Sequence, residues 1–328
     1  MPGFPITEAE IASYGTDSPE LGRILRSGEL TRITEDYVQE DARAVEVQTR
    51  FSRVATHVNV SVLLTAIIGS LILAIGLLQP WFNEQGLEAV ARTLQGLLGI
   101  GGLLVGGYSA ARLYELNAGD LAGTWMKGRA RAEQLRSEYF DRLVARAVTK
   151  DAVTQGAALK LVNVHLLTNQ LDYFLKRGLR HEEAAGRWLR WAAFASGIAS
   201  IGVAAGGMAG AANQPWILVV AALGTIGIAV SAFASAQETI GQERVRAQRF
   251  RNNRTALSLL GRQLDDVGTA VESGSPEALV AFTSGINQQL SLELGQFLDD
   301  GESIRASIAK LGEEIEKSRK KDDKPAGG

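Results

Sequence analysis

The stretch that decides the fold runs from Trp191 to Gln237, "WAAFASGIASIGVAAGGMAGAANQPWILVVAALGTIGIAVSAFASAQ". None of its 47 residues is Asp, Glu, Lys or Arg, and its one proline, Pro215, lies near the middle. A helix needs about 20 apolar residues to cross the hydrocarbon of a bilayer, and proline disfavours helix at the residue before it. The stretch is therefore predicted to form two transmembrane helices, Trp191–Asn213 and Trp216–Ala236, joined by a very tight turn.

An earlier part of the chain has the same design. The tripeptide Gln79-Pro80-Trp81 matches Gln214-Pro215-Trp216, in a chain with only seven prolines and five tryptophans. It separates two further predicted spans, Val58–Leu78 and Leu94–Ala111, with a polar turn between them. Pro80 and Pro215 are expected at the corners where the chain reverses, and Trp81 and Trp216 at the membrane–water interface that indole rings favour.

The expected fold class is an all-α membrane protein with four transmembrane helices in two hairpins and long cytoplasmic helices. The alternative, a set of buried helices in a large soluble core, is disfavoured because so long a charge-free run is hard to bury. The chain has 328 residues, a net charge of -2 and no cysteine, so disulfides and thiolate metal sites are excluded.

Basic residues near the span ends predict the orientation. Seventeen flank the outer ends of the spans, whereas the two hairpin turns carry Arg92 alone. Both turns are therefore expected to face outward and both termini to face the cytoplasm, which makes the two hairpins parallel and excludes an inverted repeat. These basic residues also suit contacts with anionic lipid headgroups. The seventeen basic residues are Arg43, Arg50, Arg53, Arg112, Lys127, Arg129, Arg131, Lys176, Arg177, Arg180, Arg187, Arg190, Arg244, Arg246, Arg249, Arg251 and Arg254.

Outside the spans the sequence predicts helices. Leu113–Thr149 and Asp151–Arg190 each carry an apolar stripe and are expected to pack as an antiparallel pair. Helix starts are predicted at the capping box Thr7–Glu10, at Ser18-Pro19 and at Ser275-Pro276-Glu277. The expected division is a helical segment (1–34), two two-span units (35–150 and 151–270), C-terminal amphipathic helices (271–317) and a disordered tail (318–328).

Small and hydroxylated residues inside the spans each allow two interpretations. Glycines at four-residue spacing, Gly102 and Gly106 on one span and Gly202, Gly206 and Gly210 on another, let helices approach closely, either between protomers or inside one bundle. Hydroxyl groups are candidates for lining a water path, but such groups more often bond back to a carbonyl one turn earlier. The candidates are Thr65, Ser70, Ser196, Ser200, Thr225 and Ser231.

The sequence argues against several functional classes. No ionisable residue lies deep in a predicted span, whereas pumps and ion-coupled carriers usually need one. His181-Glu182-Glu183 resembles half of a metal motif without a second ligand at the right spacing. No catalytic Ser–His pairing or phosphate-binding glycine loop is recognisable, so we expect neither an enzyme nor a cofactor, and nothing calls for nucleic acid as a partner.

The run Tyr114–Val144, "YELNAGDLAGTWMKGRARAEQLRSEYFDRLV", resembles the SLATT family, the SMODS and SLOG-associating two-transmembrane domains of bacteria. Trp125, Arg129, Glu133 with the preceding alanine, and Tyr139 carry the resemblance. The second half of the chain is similar to a more divergent copy that lacks the Trp, so the resemblance covers roughly residues 35–270 in tandem.

The resemblance implies a role in bacterial conflict. Such proteins are thought to be inner-membrane effectors, linked to nucleotide signals, that oligomerise and permeabilise the membrane to halt phage spread. A separate nucleotide sensor or synthetase would then supply the trigger. Two other functions stay open from the residues alone: a membrane-anchored helical scaffold without conductance, and a parallel-repeat facilitator for a small solute.

Overall fold

The computed structural model describes residues 4–212, 215–241 and 243–322, and in those ranges every regular element is a helix, as predicted. The α-helices are α1 (Glu8–Asp17), α2 (Pro19–Leu25), α3 (Gly28–Leu77), α4 (Gln79–Glu84), α5 (Glu88–Ala118), α6 (Leu121–Ala147), α7 (Ala152–Leu161), α8 (Asn169–Ala212), α9 (Pro215–Gly241), α10 (Glu243–Gly261), α11 (Leu264–Glu272) and α12 (Glu277–Asp322). A π-helical segment, Val162–Thr168, lies between α7 and α8.

The three predicted helix starts are confirmed, two of them by capping hydrogen bonds. The Thr7 hydroxyl accepts from the Glu10 amide at 3.3 Å, and the Glu10 carboxylate accepts from the Thr7 amide at 2.8 Å, which completes the capping box. The Ser18 hydroxyl caps α2 by accepting from the Leu21 amide, with proline in the first turn. The third start is confirmed too, because α12 begins at Glu277.

Two long predicted helices are interrupted. Leu113–Thr149 is divided between α5 and α6, because the chain leaves helical geometry at Gly119 and Asp120, where Asp120 has a φ of 38°. Glycine favours such a break because it is a poor helix former. Asp151–Arg190 is interrupted by the π-helical segment, whose His165 is only 1% exposed. Single π-helical turns of this kind insert into α-helices and alter which side chains face the core.

Two predicted non-helical stretches contain helix. The first predicted turn includes α4, with Pro80 in its first turn, and α5 begins at Glu88, ahead of the predicted span start at Leu94. The chain turns at Gly86, whose φ of 71° suits glycine. At the other end α12 continues past Ser318, where a disordered tail was expected, to Asp322. Residues 323–328 lie outside the described ranges.

The chain forms two compact units, each drawn from separate parts of the sequence. Unit 1 comprises residues up to 49, 121–181 and 245–305, and unit 2 comprises 50–120, 182–244 and the residues from 306 on. The units therefore cut across the tandem boundaries drawn from the sequence. Unit 1 has its own hydrophobic core, whose largest fully buried side chains include Phe140, Phe174, Leu143 and Leu166.

Unit 2 contains the apolar segments, and many of their large side chains face outward; Leu103, for example, is 78% exposed. Three helical stretches, Gly28–Leu77, Glu88–Ala147 and Ala152–Gly206, are long and apolar enough to cross a membrane. In α9 the structure supports a shorter apolar helix, Leu223–Ser235. The fourth span and the hairpin arrangement stay predictions.

Side-chain contacts in unit 2 join α3 to α5 in antiparallel order. A Cβ built on Gly102 would lie 3.3 Å from Ile68, and the Tyr108 hydroxyl lies 2.9 Å from Nδ1 of His57. Farther along, Arg50 donates to the Glu115 carboxylate at 2.9 Å. As positions on α5 advance, their partners on α3 recede, so the two helices run in opposite directions along this contact.

Candidate functional site: a charged and aromatic cavity

A cavity of about 240 Å³ lies within unit 1. Five helices line it: α3, α6, α8, α10 and α12. Its lining combines arginines, carboxylates and aromatic rings, which is unlike the apolar core of the same unit. It is the strongest candidate for a site because concave surfaces with a few converging polar groups are the usual setting for small-molecule binding.

Several residues of the cavity lie close in sequence to the points where the chain passes between unit 1 and unit 2. Gln48 on α3 and His181 on α8 are among the last residues of their unit 1 segments, and Trp125 on α6 and Arg246 on α10 are among the first of theirs. All four connections to the apolar segments therefore begin beside this cavity. α12 supplies the fifth wall through Glu293, Leu294 and Phe297.

Arg129 is the centre of one charged group in the cavity. Its guanidinium lies 3.3 Å from the Asp41 carboxylate, forms an ion pair with Glu133 and lies 6.0 Å from the centroid of the Tyr173 ring. Burial alone would lower the pKa of Arg129, but the nearby Glu133 and Tyr173 raise it above its ordinary value. Arg129 is therefore held firmly in its charged form.

A second arginine supports this group from the protein interior. The Arg136 side chain is only 6% exposed and forms an ion pair with Glu133. The Gln170 side-chain oxygen accepts from the same guanidinium at 2.6 and 3.2 Å. Glu133 thus lies between two arginines on α6, each about one turn away from it, which fixes its position and compensates its charge.

Arg249 is the centre of the second charged group. It is only 8% exposed, donates to the Gln296 carbonyl at 3.2 Å and lies 3.9 Å from the Glu293 carboxylate. Burial raises the pKa of Glu293, and the charge of Arg249 opposes that rise. Because Arg249 is buried in unit 1, its expected role as a contact for lipid headgroups is wrong.

Aromatic rings form the remaining walls. Trp125 meets Phe297 edge to face, with centroids 5.5 Å apart. The Phe250 ring stacks on His181, with centroids 5.3 Å and planes 24° apart, and also on Phe174 at 5.9 Å. Since His181 is engaged in this stack and the described residues contain no group of three or more His, Asp or Glu side chains that could hold a metal, no metal site is assigned there.

Three of the four residues of the sequence motif line the cavity together. Trp125, Arg129 and Glu133 are spaced by four residues on α6 and so share one helix face. Tyr139 lies about 240° farther round the helix from Glu133 and packs instead in the core, with its ring 4.9 Å from Phe4. Burial raises the pKa of the Tyr139 hydroxyl.

Sequence reasoning missed the residues that other helices bring to the cavity. Asp41, Arg177 and Glu293 each lie on an ordinary amphipathic helix, and nothing in their local sequence separates them from exposed charges. The one local signal was Tyr173, whose placement before the second span pair corresponds to that of Tyr37 before the first. Tyr173 lines the cavity, whereas Tyr37 is in the core.

The glycines singled out from sequence differ in what surrounds them. A Cβ on Gly202 would meet Gly224, one on Gly206 would lie 3.7 Å from Ala221, and one on Gly106 would meet nothing within 4 Å. The surroundings of Gly210 and the side chains of Pro215 and Trp216 are not described, although Gly210 lies in α8 and Pro215 begins α9. Trp81 is 36% exposed.

Most of the candidate pore-lining hydroxyls bond within the protein. Thr65, Ser70 and Ser200 each donate to the carbonyl of the residue four positions earlier, at 2.9 Å. Ser196 and Ser231 bond to each other across α8 and α9, also at 2.9 Å. Thr225 has an interaction partner as well.

No protein-family model, curated protein or solved structure matches this chain at a significant level. The similarity to the SLATT family therefore stays a resemblance carried by Trp125, Arg129, Glu133 and Tyr139. The geometry of the cavity and of the apolar helices is what any functional proposal must explain.

Proposed function

We propose that this protein is an effector of the bacterial inner membrane that oligomerises to form a pore or otherwise disrupt the bilayer. In this proposal four helices cross the membrane as two parallel hairpins, with both termini in the cytoplasm. The resemblance at Trp125–Tyr139 suggests antiphage defence that responds to a nucleotide signal, with a separate sensor or synthetase as partner. Unit 1 is then the cytoplasmic part that receives the trigger.

The observation that carries the proposal is the continuity of two helices. α3 and α8 are each one unbroken helix that begins in unit 1 and ends in an apolar segment. Both helices also line the charged cavity. A change of conformation at the cavity can therefore be transmitted along their continuous backbone to the apolar segments. Such a route is what a switchable membrane effector needs.

The composition of the spans favours a pore built from several protomers. The predicted spans contain no ionisable residue at depth. A single chain therefore lacks the intramembrane charged groups on which carrier pathways usually depend. Small residues such as Gly99 and Gly106, which have nothing within 4 Å of a built Cβ, offer positions on α5 where another helix can approach closely. A closed ring of identical chains would satisfy such contacts.

The test is the membrane potential of cells that express the full chain, followed with a potential-sensitive dye before and after phage challenge. An effector predicts rapid loss of potential under at least one of the two conditions.

The matched pair of variants is Gly202→Leu, which obstructs the crossing of α8 and α9, and Gly197→Leu, which meets open space on the same helix. Loss of potential should persist in Gly197→Leu and weaken in Gly202→Leu.

The second candidate is a membrane-anchored scaffold without conductance. The size of unit 1 favours it, because a domain with its own core and a lined cavity can dock partners without any change in the membrane. A scaffold predicts an unchanged potential under every condition, including phage challenge. That result would refute the effector proposal.

A further inference from the structure

We propose that the unit 1 cavity binds a small organic anion that carries a planar ring, the chemical class of a nucleoside monophosphate. This inference rests on the lining of unit 1 and holds whether or not the protein conducts. It differs from the proposed function, in which a separate protein senses the nucleotide.

The charges of the lining favour an anion. Each carboxylate of the cavity lies beside an arginine: Asp41 and Glu133 beside Arg129, and Glu293 beside Arg249. Arg177 and Arg246 add two more guanidinium groups to the lining, so arginines outnumber carboxylates. Guanidinium groups match the geometry of phosphate and carboxylate oxygens and bind them with two parallel hydrogen bonds.

The flat groups of the lining favour a ring. Trp125, Phe297, Tyr173 and Phe250 all border the cavity. The guanidinium of Arg177 lies over the Tyr173 ring, 5.5 Å from its centroid, so a planar cation borders the cavity beside an aromatic ring. A planar ligand ring can be held by contact with such surfaces, because aromatic rings and guanidinium planes both stack on it.

The size of the cavity limits the ligand. Drug-sized ligands occupy pockets of about 300–1,000 Å³, and this cavity of about 240 Å³ is slightly smaller. It suits a small ligand with one planar base and one anionic group better than a polymer or a lipid with its acyl chains. A cationic ligand is disfavoured because it would face the arginines, although the aromatic walls alone would accept it.

The experiment uses the full chain in nanodiscs of zwitterionic lipid, with binding measured by calorimetry and by the fluorescence of Trp125. Three probes separate the two halves of the ligand: adenosine monophosphate has ring and anion, adenosine has the ring only, and ribose 5-phosphate has the anion only. We expect adenosine monophosphate to bind at least about tenfold more tightly than either fragment, since each fragment loses one set of contacts. A Trp125→Phe chain should lose the fluorescence change, which assigns that signal to the cavity.

Variants locate the site. Arg177→Gln and Arg246→Gln should each weaken adenosine monophosphate at least about tenfold, the loss expected for a charge-assisted hydrogen-bond pair. Arg254→Gln is the matched control, since Arg254 is an exposed arginine of α10 that does not line the cavity. The comparison of the three probes on the wild-type chain needs no variant and stands even if a substitution impairs folding.

Several results would overturn the inference. One is the absence of adenosine monophosphate binding at millimolar concentration. Another is equal binding of adenosine monophosphate and ribose 5-phosphate, which would remove the ring from the ligand. A third is loss of adenosine monophosphate binding in nanodiscs of anionic lipid, which would mean that the arginines serve headgroups. Equal losses in Arg254→Gln and Arg177→Gln would also contradict it.

Discussion

Gly202 of α8 and Gly224 of α9 approach so closely that a Cβ built on Gly202 would lie 2.2 Å from the Cα of Gly224. The contact continues one turn away, where a Cβ on Gly227 would lie 2.7 Å from the Ala195 carbonyl oxygen. At this crossing only residues without side chains allow the two backbones to meet. Gly202 therefore packs inside one chain, which is one of the two roles that its spacing left open.

Replacing Gly202 by leucine should destabilise the α8–α9 pair. Any side chain at this position meets backbone atoms, which cannot rotate away, so the helices must separate. Overpacking of this kind costs about 1–3 kcal/mol. The measurement is the thermal unfolding of the purified full chain in detergent, with a lower midpoint expected for Gly202→Leu.

Gly197→Leu is the control, because Gly197 lies on the same helix and a Cβ there meets nothing within 4 Å. It should unfold at nearly the wild-type midpoint. An equal loss in both variants, or no loss in Gly202→Leu, would show that the close crossing does not exist.

Arg136→Met should destabilise unit 1 strongly. The substitution keeps an apolar chain of similar length but leaves Glu133 with one arginine fewer and the Gln170 oxygen without its donor. Breaking a buried ion pair by removing one partner costs about 3–5 kcal/mol. Chemical unfolding followed by circular dichroism measures the change.

Arg23→Met is its surface counterpart, since Arg23 pairs with Glu20 on α2 with 73% of its side chain exposed. Exposed pairs contribute about 0–1 kcal/mol, so this variant should stay close to wild type. If the two substitutions cost the same, the network around Glu133 does not stabilise unit 1.

Glu293 should make ligand binding in the cavity depend on pH. Burial raises the pKa of its carboxyl, against the opposing charge of Arg249, while Glu133 raises it further and Arg129 and Arg136 lower it. As the pH falls through this raised pKa, Glu293 takes up a proton and the cavity loses a negative charge. Adenosine monophosphate should then bind more tightly, by up to roughly tenfold.

The Glu293→Gln chain separates this effect from protonation of the phosphate itself, which has a pKa near 6. At neutral pH the variant should bind at least as tightly as wild type, and the two affinities should converge as the pH is lowered. Calorimetry at a series of pH values measures both. A constant ratio of the two affinities would mean that Glu293 does not titrate in this range.

The helical architecture is predictable from the sequence because its signals are local. The charge-free blocks, the Thr7–Glu10 capping box and the proline before Glu277 each act within a few residues. The same locality explains the errors. The break at Asp120 and the π-helical segment at Val162–Thr168 lie within continuous apolar stripes, where the pattern alone gives no reason for a helix to stop or widen.

The cavity is only partly predictable for a different reason. Trp125, Arg129 and Glu133 share one face of one helix, so their four-residue spacing is enough to group them. Arg249 and Glu293 come together from α10 and α12, and no local pattern indicates that these two charges are paired and buried. Sequence alone therefore groups Arg249 with the arginines that face lipid headgroups.

The central claim is that the apolar helices cross a membrane and leave unit 1 on the cytoplasmic side. The chain has no native cysteine, so a single introduced thiol reports its own location. Gln85→Cys places it in the exposed turn before α5, and Thr149→Cys places it on an exposed turn of unit 1. Each variant is treated with a membrane-impermeant maleimide in intact spheroplasts and again after lysis.

The account predicts that Gln85→Cys is labelled in intact spheroplasts and that Thr149→Cys is labelled only after lysis. Labelling of both thiols in intact spheroplasts, or of neither until lysis, would contradict it.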